Sequence, residues 1–178
     1  MIRVAILDRH PAVRAGLEST LRAQPGFAAV GSAAGAGALL YRTDPDIVVL
    51  DDLAQARRVK AESRARVVLY TANPSAELLL AAAVAGVDGV VDKGAPTFEL
   101  LGALRSVAAG EPAIPDVGPR QQASAARRLD PRDRPIFAMR LAGTSPREIA
   151  AVVGLGMAAL NARIQAIVSS LVPAPAAA

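Results

Sequence analysis

Four side chains able to do chemistry stand where short apolar runs end. Asp8 follows Val4-Ala5-Ile6-Leu7, Asp51 follows Ile47-Val48-Val49-Leu50, Thr71 closes Val67 to Tyr70, and Lys93 comes just after Val87 to Val91. Runs this short and this rich in β-branched residues read as strands buried on both faces of a parallel sheet. Ligands gather at the carboxyl edge of such a sheet, so the four groups would meet there. The Asp51 carboxylate is then the candidate reactive group.

To be placed so, they need strands alternating with helices. Strands are expected at Arg3–Leu7, Phe27–Gly31, 46–51, Val67–Tyr70 and Val87–Val91. Helices are expected at Pro11–Ala23, Ala34–Arg42, within Gln55–Arg66, at Glu77–Ala85 and at Thr97–Ala108. The second of these is weakened by Gly35 and Gly37. Five strand-helix pairs imply an α/β domain, a five-stranded parallel doubly wound sheet, over residues 1–109. Residues 110–128, with three prolines and no apolar period, read as a linker. Three helices follow, 131–142, 145–153 and 157–171, ended in turn by Gly143 and Gly154, and make a small all-α domain over 129–172. The tail, 173–178, is Pro- and Ala-rich and expected to be disordered.

Composition narrows the function. The chain of 178 residues is 52% apolar, enough for a real core, and has no cysteine, which removes disulfides, thiol catalysis and thiolate metal sites together. No run approaches the roughly eighteen apolar residues of a membrane span, and the N-terminal run is too short for a signal peptide, so a cytoplasmic protein without a membrane partner is expected. Residues 1–118 carry 12 Lys+Arg against 13 Asp+Glu, whereas 119–178 carry 8 Arg against 3 acids. A net of +5 in the last third fits a phosphate-backbone partner or a solvated basic surface. Two signals are discounted: Gly31 to Gly37 lacks the spacing of a dinucleotide loop, and His10, the single histidine, has no nucleophile or ligand cluster beside it and is expected in a loop or capping role.

Asp8, Asp51, Thr71 and Lys93, with the opening Val4-Ala5-Ile6-Leu7-Asp8-Arg9-His10-Pro11 and Val13 to Leu17, resemble the receiver domain of NarL/FixJ-class bacterial response regulators. The resemblance implies that Asp51 is the phospho-acceptor position, Thr71 the hydroxyl and Lys93 the cation that hold the phosphoryl oxygens. It also implies a divalent metal beside Asp51, held in the family by two adjacent acids after the first strand. Here the second is Arg9. A guanidinium offers no lone pair, so magnesium is not expected and no cofactor is assigned. Arg9 is expected to pair instead with Asp51 or Asp8. The methionine-proline step after the acceptor is missing, the interval from Asp51 to Thr71 is short, and the aromatic switch position is Val90. A receiver that has kept its fold and lost metal-dependent phosphorylation is therefore expected, against the alternative of a rearranged site helped by Asp52.

Leu129 to Arg134, Leu141 to Ser145, Glu148-Ile149-Ala150 and Gly154-Leu155 resemble the LuxR-type helix-turn-helix. Asp130 would cap the first of its helices with Pro131 at the first position, although Pro135 falls inside it, so that helix would start late or kink. Thr144 or Ser145 would cap the second. Ile149, Ala150, Val153, Leu160, Ile164, Ile167, Val168 and Leu171 would be buried. By resemblance Asn161, Ala162 and Gln165 would face the major groove of double-stranded promoter DNA, with Arg163 near phosphate. Arg127, Arg128, Arg132, Arg140 and Arg147 would compensate for a recognition helix with little charge. The family's fourth helix is not found before Pro173, so pairing would run through the receiver, by its fourth or fifth helix, as a homodimer or heterodimer.

The expectation is thus a non-enzymatic transcription regulator with an atypical receiver, whose input is a small molecule, a protein effector or none. The alternative is a protein-interaction module that has lost DNA binding and acts by pairing with another regulator.

Overall fold

A computed structural model describes residues 1–172. Its contacts divide the chain into two compact units, Met1–Pro74 with Val87–Ile114, and Ser75–Gly86 with the chain from Pro115 onward.

The first unit holds five strands, β1 (Ile2–Leu7), β2 (Phe27–Ala33), β3 (Ile47–Leu50), β4 (Arg66–Thr71) and β5 (Gly89–Asp92), all parallel in the order β2-β1-β3-β4-β5. Four helices belong to it: α1 (Pro11–Arg22), α2 (Leu39–Thr43), α3 (Leu53–Glu62) and α5 (Thr97–Ala109). The pleat splits each strand between two faces. Val4, Ile6, Ile47, Val49 and Val68 form one core cluster with Leu17 and Leu21 of α1 and Leu100, Leu104 and Val107 of α5. The alternate residues Ala5, Leu7, Val48, Leu50, Val67 and Leu69 are equally buried, and α2 and α3 pack on these same strands. The central run is apolar at every position because both of its faces are covered.

Two expectations shift here. Instead of a helix from Ala34, β2 runs on to Ala33 and α2 keeps only five residues. Gly31 lies in the strand where an added Cβ would stand 2.7 Å from Leu39 Cδ1, so glycine lets α2 approach β2 closely. The glycine-rich stretch is thus a packing device. The expected linker is also not bare. Val90 N donates to Ala113 O at 2.9 Å and Ala113 N to Asp88 O at 2.8 Å, which adds a bridge alongside β5.

The second unit contains α4 (Ala76–Ala85), α6 (Pro119–Arg128), α7 (Arg134–Leu141), α8 (Pro146–Val153) and α9 (Met157–Leu171). Helix α6 lies wholly within 110–128, where no period was visible: it buries only Ala125 and rests on Pro119 in its first turn and Arg127 and Arg128 in its last. Helix α7 starts at Arg134, with Pro135 in its first turn, where a missing N–H costs nothing. Asp130 therefore does not cap it. Its carboxylate accepts from Arg132 N at 2.8 Å in the turn before. Ser145 and Glu148 form a complete capping box on α8, and Gly154 ends it in the left-handed region at φ +66°. Leu160, Ile164, Ile167 and Leu171 are the buried stripe of α9, with Val153 and Val168 half-buried. Helix α4 falls between β4 and β5 in sequence, yet it packs on α9, α7 and α6, so the expected boundary at 109 does not separate the compact units.

Among the described residues no single helix is long and apolar enough to cross a membrane. The tail expected to be disordered lies outside the described residues.

Candidate functional sites

At the carboxyl edge of the sheet, β1 ends in Asp8, which is 2% exposed although charged. Its burial is matched by donors. Oδ1 accepts from His10 N at 2.7 Å and lies 2.9 Å from His10 Nδ1, and Oδ2 accepts from Lys93 Nζ at 2.6 Å. Burial works to raise the Asp8 pKa, but the hydrogen bonds from Lys93 and His10 and the Lys93 charge outweigh it and hold the carboxyl below its ordinary value. Arg14 reaches back from α1 to donate to Asp8 O at 2.6 Å, which fixes the β1–α1 loop.

β3 delivers Asp51 beside this group, with Asp51 N donating to Leu7 O at 3.1 Å. Arg9 Nε lies 3.3 Å from Asp51 Oδ2, Arg9 N is 3.4 Å from the same oxygen, and His10 Nδ1 is 4.0 Å from it. Of the two partners expected for Arg9, the structure selects Asp51. β4 and β5 bring the other two groups: Lys93 N donates to Thr71 O at 2.7 Å, and the Thr71 hydroxyl accepts from Asn73 N at 3.3 Å. Lys93 Nζ also lies 5.6 Å from the centre of the Tyr70 ring. Asp52 is occupied as the cap of α3, accepting from Ala54 N at 2.9 Å. Val90 is buried in β5.

Magnesium wants a shell of oxygen ligands in near-octahedral geometry. Beside Asp51 and Asp8 this chain offers a guanidinium, which only donates, and an imidazole nitrogen. The donor set does not fit that ion, and no step is routed through it.

His10 departs from expectation. It occupies the N-cap position of α1 but makes no side-chain cap bond, because its ring is turned onto Asp8. An Asp-x-His spacing after a strand was the signal for this.

In the second unit Asn161 and Ala162 are exposed on α9 and Gln165 is half-buried. Arg163 is not free: its Nη1 donates to Asp133 Oδ1 at 2.7 Å. Nor is Arg140 a surface cation. Its Nε donates to Val84 O at 2.9 Å, its Nη1 to Thr144 O at 3.2 Å, and burial pulls its pKa below the usual value. The partner it finds, the C-terminal end of α4, is far away in sequence, and this is why periodicity did not reveal it. Arg128 lies 3.5 Å from Glu77, whereas Arg127, Arg132 and Arg147 are exposed.

No protein-family model matches the chain. It is 35% identical over 129 residues to the probable transcriptional regulatory protein SgaR of Hyphomicrobium methylovorum, a match covering 65% of this chain and 60% of that protein. It is 29% identical over 182 residues to the response regulator UvrY of Escherichia coli K12, covering 90% of this chain and 84% of UvrY. Among solved structures, a LuxR-family two-component response regulator from Aurantimonas sp. SI85-9A1 superposes with a TM-score of 0.58 at 31% identity, over 70% of this chain and 95% of that one. RcsB of Salmonella enterica serovar Typhimurium, bound to the promoter P1flhDC, shares the fold with a TM-score of 0.61 at 20% identity, over 96% of this chain and 91% of RcsB.

Proposed function

The chain belongs to the LuxR/NarL family of response regulators, and on that premise we propose that it is a cytoplasmic, DNA-binding transcription regulator whose receiver is not switched by magnesium-dependent aspartyl phosphorylation. The observation that carries the second half is Arg9 Nε at 3.3 Å from Asp51 Oδ2. A cation already beside the acceptor oxygen, in place of an acidic ligand, favours Asp51 as a fixed anion over Asp51 as a nucleophile. Incubating the full chain with magnesium and a small phosphodonor, then weighing it intact, tests this. No added phosphoryl mass is expected; a phosphoryl adduct that disappears in Asp51→Asn overturns it.

The DNA-binding half rests on α9. Asn161 and Gln165 suit bidentate contact with adenine, and Ala162 suits a thymine methyl. Arg127, Arg132 and Arg147 suit phosphate contacts that fix register without reading sequence. RcsB is a relative in fold that is described as bound to DNA and as dimers. Pairing of this chain through α5 fits better than through α4, because α4 is packed on α9 while Phe98 of α5 is 70% exposed. An effector small enough for the roughly 260 Å³ cavity lined by Leu17 of α1, Leu100 of α5, Tyr70 and Lys93 would reach the Asp8 pocket through Lys93.

The Arg163–Asp133 pair supports a second reading, a regulator that has lost DNA binding and works through a protein partner, since it occupies the one cation of α9. Selecting bound genomic fragments at two salt concentrations separates the readings. A single enriched motif lost in Asn161→Ala and Gln165→Ala supports base readout; binding that ignores both and falls steeply with salt is phosphate attraction alone; no binding favours the protein partner.

A further inference from the structure

Asp8, His10 and Asp51 each offer a ligand atom, and the three atoms lie within 4.8 Å of one another. We propose that these three side chains form a site for a first-row transition ion, zinc being the probe, in the place where the donor set does not fit magnesium. His10 Nδ1 is 2.9 Å from Asp8 Oδ1 and 4.0 Å from Asp51 Oδ2. Bonds of about 2.0–2.1 Å in a tetrahedral zinc shell separate ligand atoms by roughly 3.3 Å. Those two separations bracket that value and all three atoms lie within 4.8 Å of one another, a spread that side-chain rotations can close. One imidazole nitrogen with two carboxylate oxygens suits zinc and its neighbours, whereas magnesium takes nitrogen poorly.

The surroundings complete the argument. Lys93 holds Asp8 Oδ2; Oδ1 accepts from His10 N, which keeps the ring over it, and the ion would take the place of the contact between Oδ1 and His10 Nδ1. The two carboxylates offset the divalent ion, and with Lys93 kept on Asp8 the site carries one positive charge. Arg9 is the competitor for Asp51 Oδ2; its side chain is 75% exposed, so an ion that bonds the carboxylate more strongly displaces the guanidinium into solvent while the Arg9 backbone amide stays in place. Coordination uses the lone pair of Nδ1, and the ring proton then resides on Nε2. Asp51 would thereby exchange a guanidinium for a metal ion, which makes the pocket a detector of that ion and rests on the reading that Asp51 stays unphosphorylated.

His10 is the single histidine of the chain, so its imidazole nitrogens give unambiguous NMR signals. Full-length ¹⁵N-labelled protein is titrated with zinc chloride and, separately, with magnesium chloride. The Nδ1 resonance is expected to shift by one equivalent of zinc and to stay in place with magnesium. Calorimetry should show zinc affinity falling about tenfold or more in His10→Gln and in Asp51→Asn, and rising in Arg9→Ala, with circular dichroism verifying each fold. His10 is exposed, so its replacement leaves the core intact. An unmoved Nδ1 resonance, an equal response to magnesium, or wild-type zinc affinity in His10→Gln overturns the proposal.

Discussion

Lys93 Nζ donates to Asp8 Oδ2 at 2.6 Å, tying the loop after β5 to the end of β1 at the sheet's carboxyl edge. Asp8 keeps 3% of its side chain exposed and Lys93 20%, so this ion pair is mostly out of water. Breaking a buried pair by removing one partner strands the other, which typically costs about 3–5 kcal/mol. Lys93→Met should cost somewhat less, about 2–3 kcal/mol at neutral pH, because Lys93 is partly solvated. The pH dependence follows from the lowered Asp8 pKa. A carboxyl depressed in the folded state contributes stability that is present above its unfolded value and lost as pH falls through the folded one. In Lys93→Met burial acts with less opposition and the folded pKa rises toward the unfolded value, so the variant, weaker at neutral pH, loses less stability than the wild type on going into acid. Urea unfolding followed from neutral into acid checks both effects; unchanged stability and an unchanged acid profile would show the pair to be inert.

Arg9→Asp restores an acid beside Asp8 and frees Asp51 Oδ2 from its 3.3 Å neighbour. Two carboxylates and the Asp51 oxygen then make an oxygen-rich site of the kind magnesium takes. The variant should bind magnesium and acquire a phosphoryl adduct from a small phosphodonor, lost again in Arg9→Asp with Asp51→Asn. Intact mass spectrometry reads the result. Should Arg9→Asp remain unmodified, the obstacle to phosphorylation lies in Thr71, Val90 or the short α3 region and not in Arg9.

Arg140 donates to the carbonyls of Val84 and Thr144, and an added Cβ at Gly86 would come within 2.7 Å of its Nη2. Its cation also sits at the negative end of the α4 dipole. Arg140→Leu leaves two carbonyls short of a partner, at about 1–3 kcal/mol each when buried, and should lower the stability of the full chain by about 2–4 kcal/mol. Gly86→Ala should destabilise for two reasons: φ is +81° there, where a side chain costs roughly 1–2 kcal/mol, and the new Cβ pushes against Arg140 Nη2, a part of the loss that Arg140→Leu removes. Thermal unfolding of both variants and the double variant tests whether the two share one contact: coupling of the losses is expected, and simple additivity would place Arg140 elsewhere.

Much of this was legible in the sequence, for reasons that differ by element. β3 showed because a run of four apolar residues, three of them β-branched, is too short for a helix and fits a doubly covered strand, and α9 because Leu160, Ile164, Ile167 and Leu171 repeat at helical spacing. The meeting of Asp8, Asp51 and Lys93 followed from their positions at strand ends. Helix α6 was hidden because it buries almost nothing, and periodicity reports burial. The contact of His10 with Asp8 leaves no trace in hydrophobic periodicity, and only the Asp-x-His spacing after β1 marks it. Helix α4 was placed in sequence but not in space. Leu79, Leu80, Ala81, Ala82 and Val84 are all buried, and a helix without a polar face announces burial without saying against what.

That last point yields a prediction about the C-terminal region by itself. Residues 115–178 carry α6 to α9 but not α4, which packs on α9, α7 and α6 in the same compact unit. Each fully buried leucine contributes about 1.5–3 kcal/mol, and a small domain has little more than about 5 kcal/mol in total, so losing the leucine contacts of α4 removes much of the margin. The bare fragment should keep helical circular dichroism but show poor NMR dispersion and a broad unfolding transition. Joining residues 75–86 to it through a flexible Gly/Ser linker should restore a sharp transition, and the same fusion carrying Arg140→Leu should restore less. A bare fragment that unfolds as sharply and at the same temperature as the fusion would mean that α6 to α9 close their own core and that α4 only rests on it.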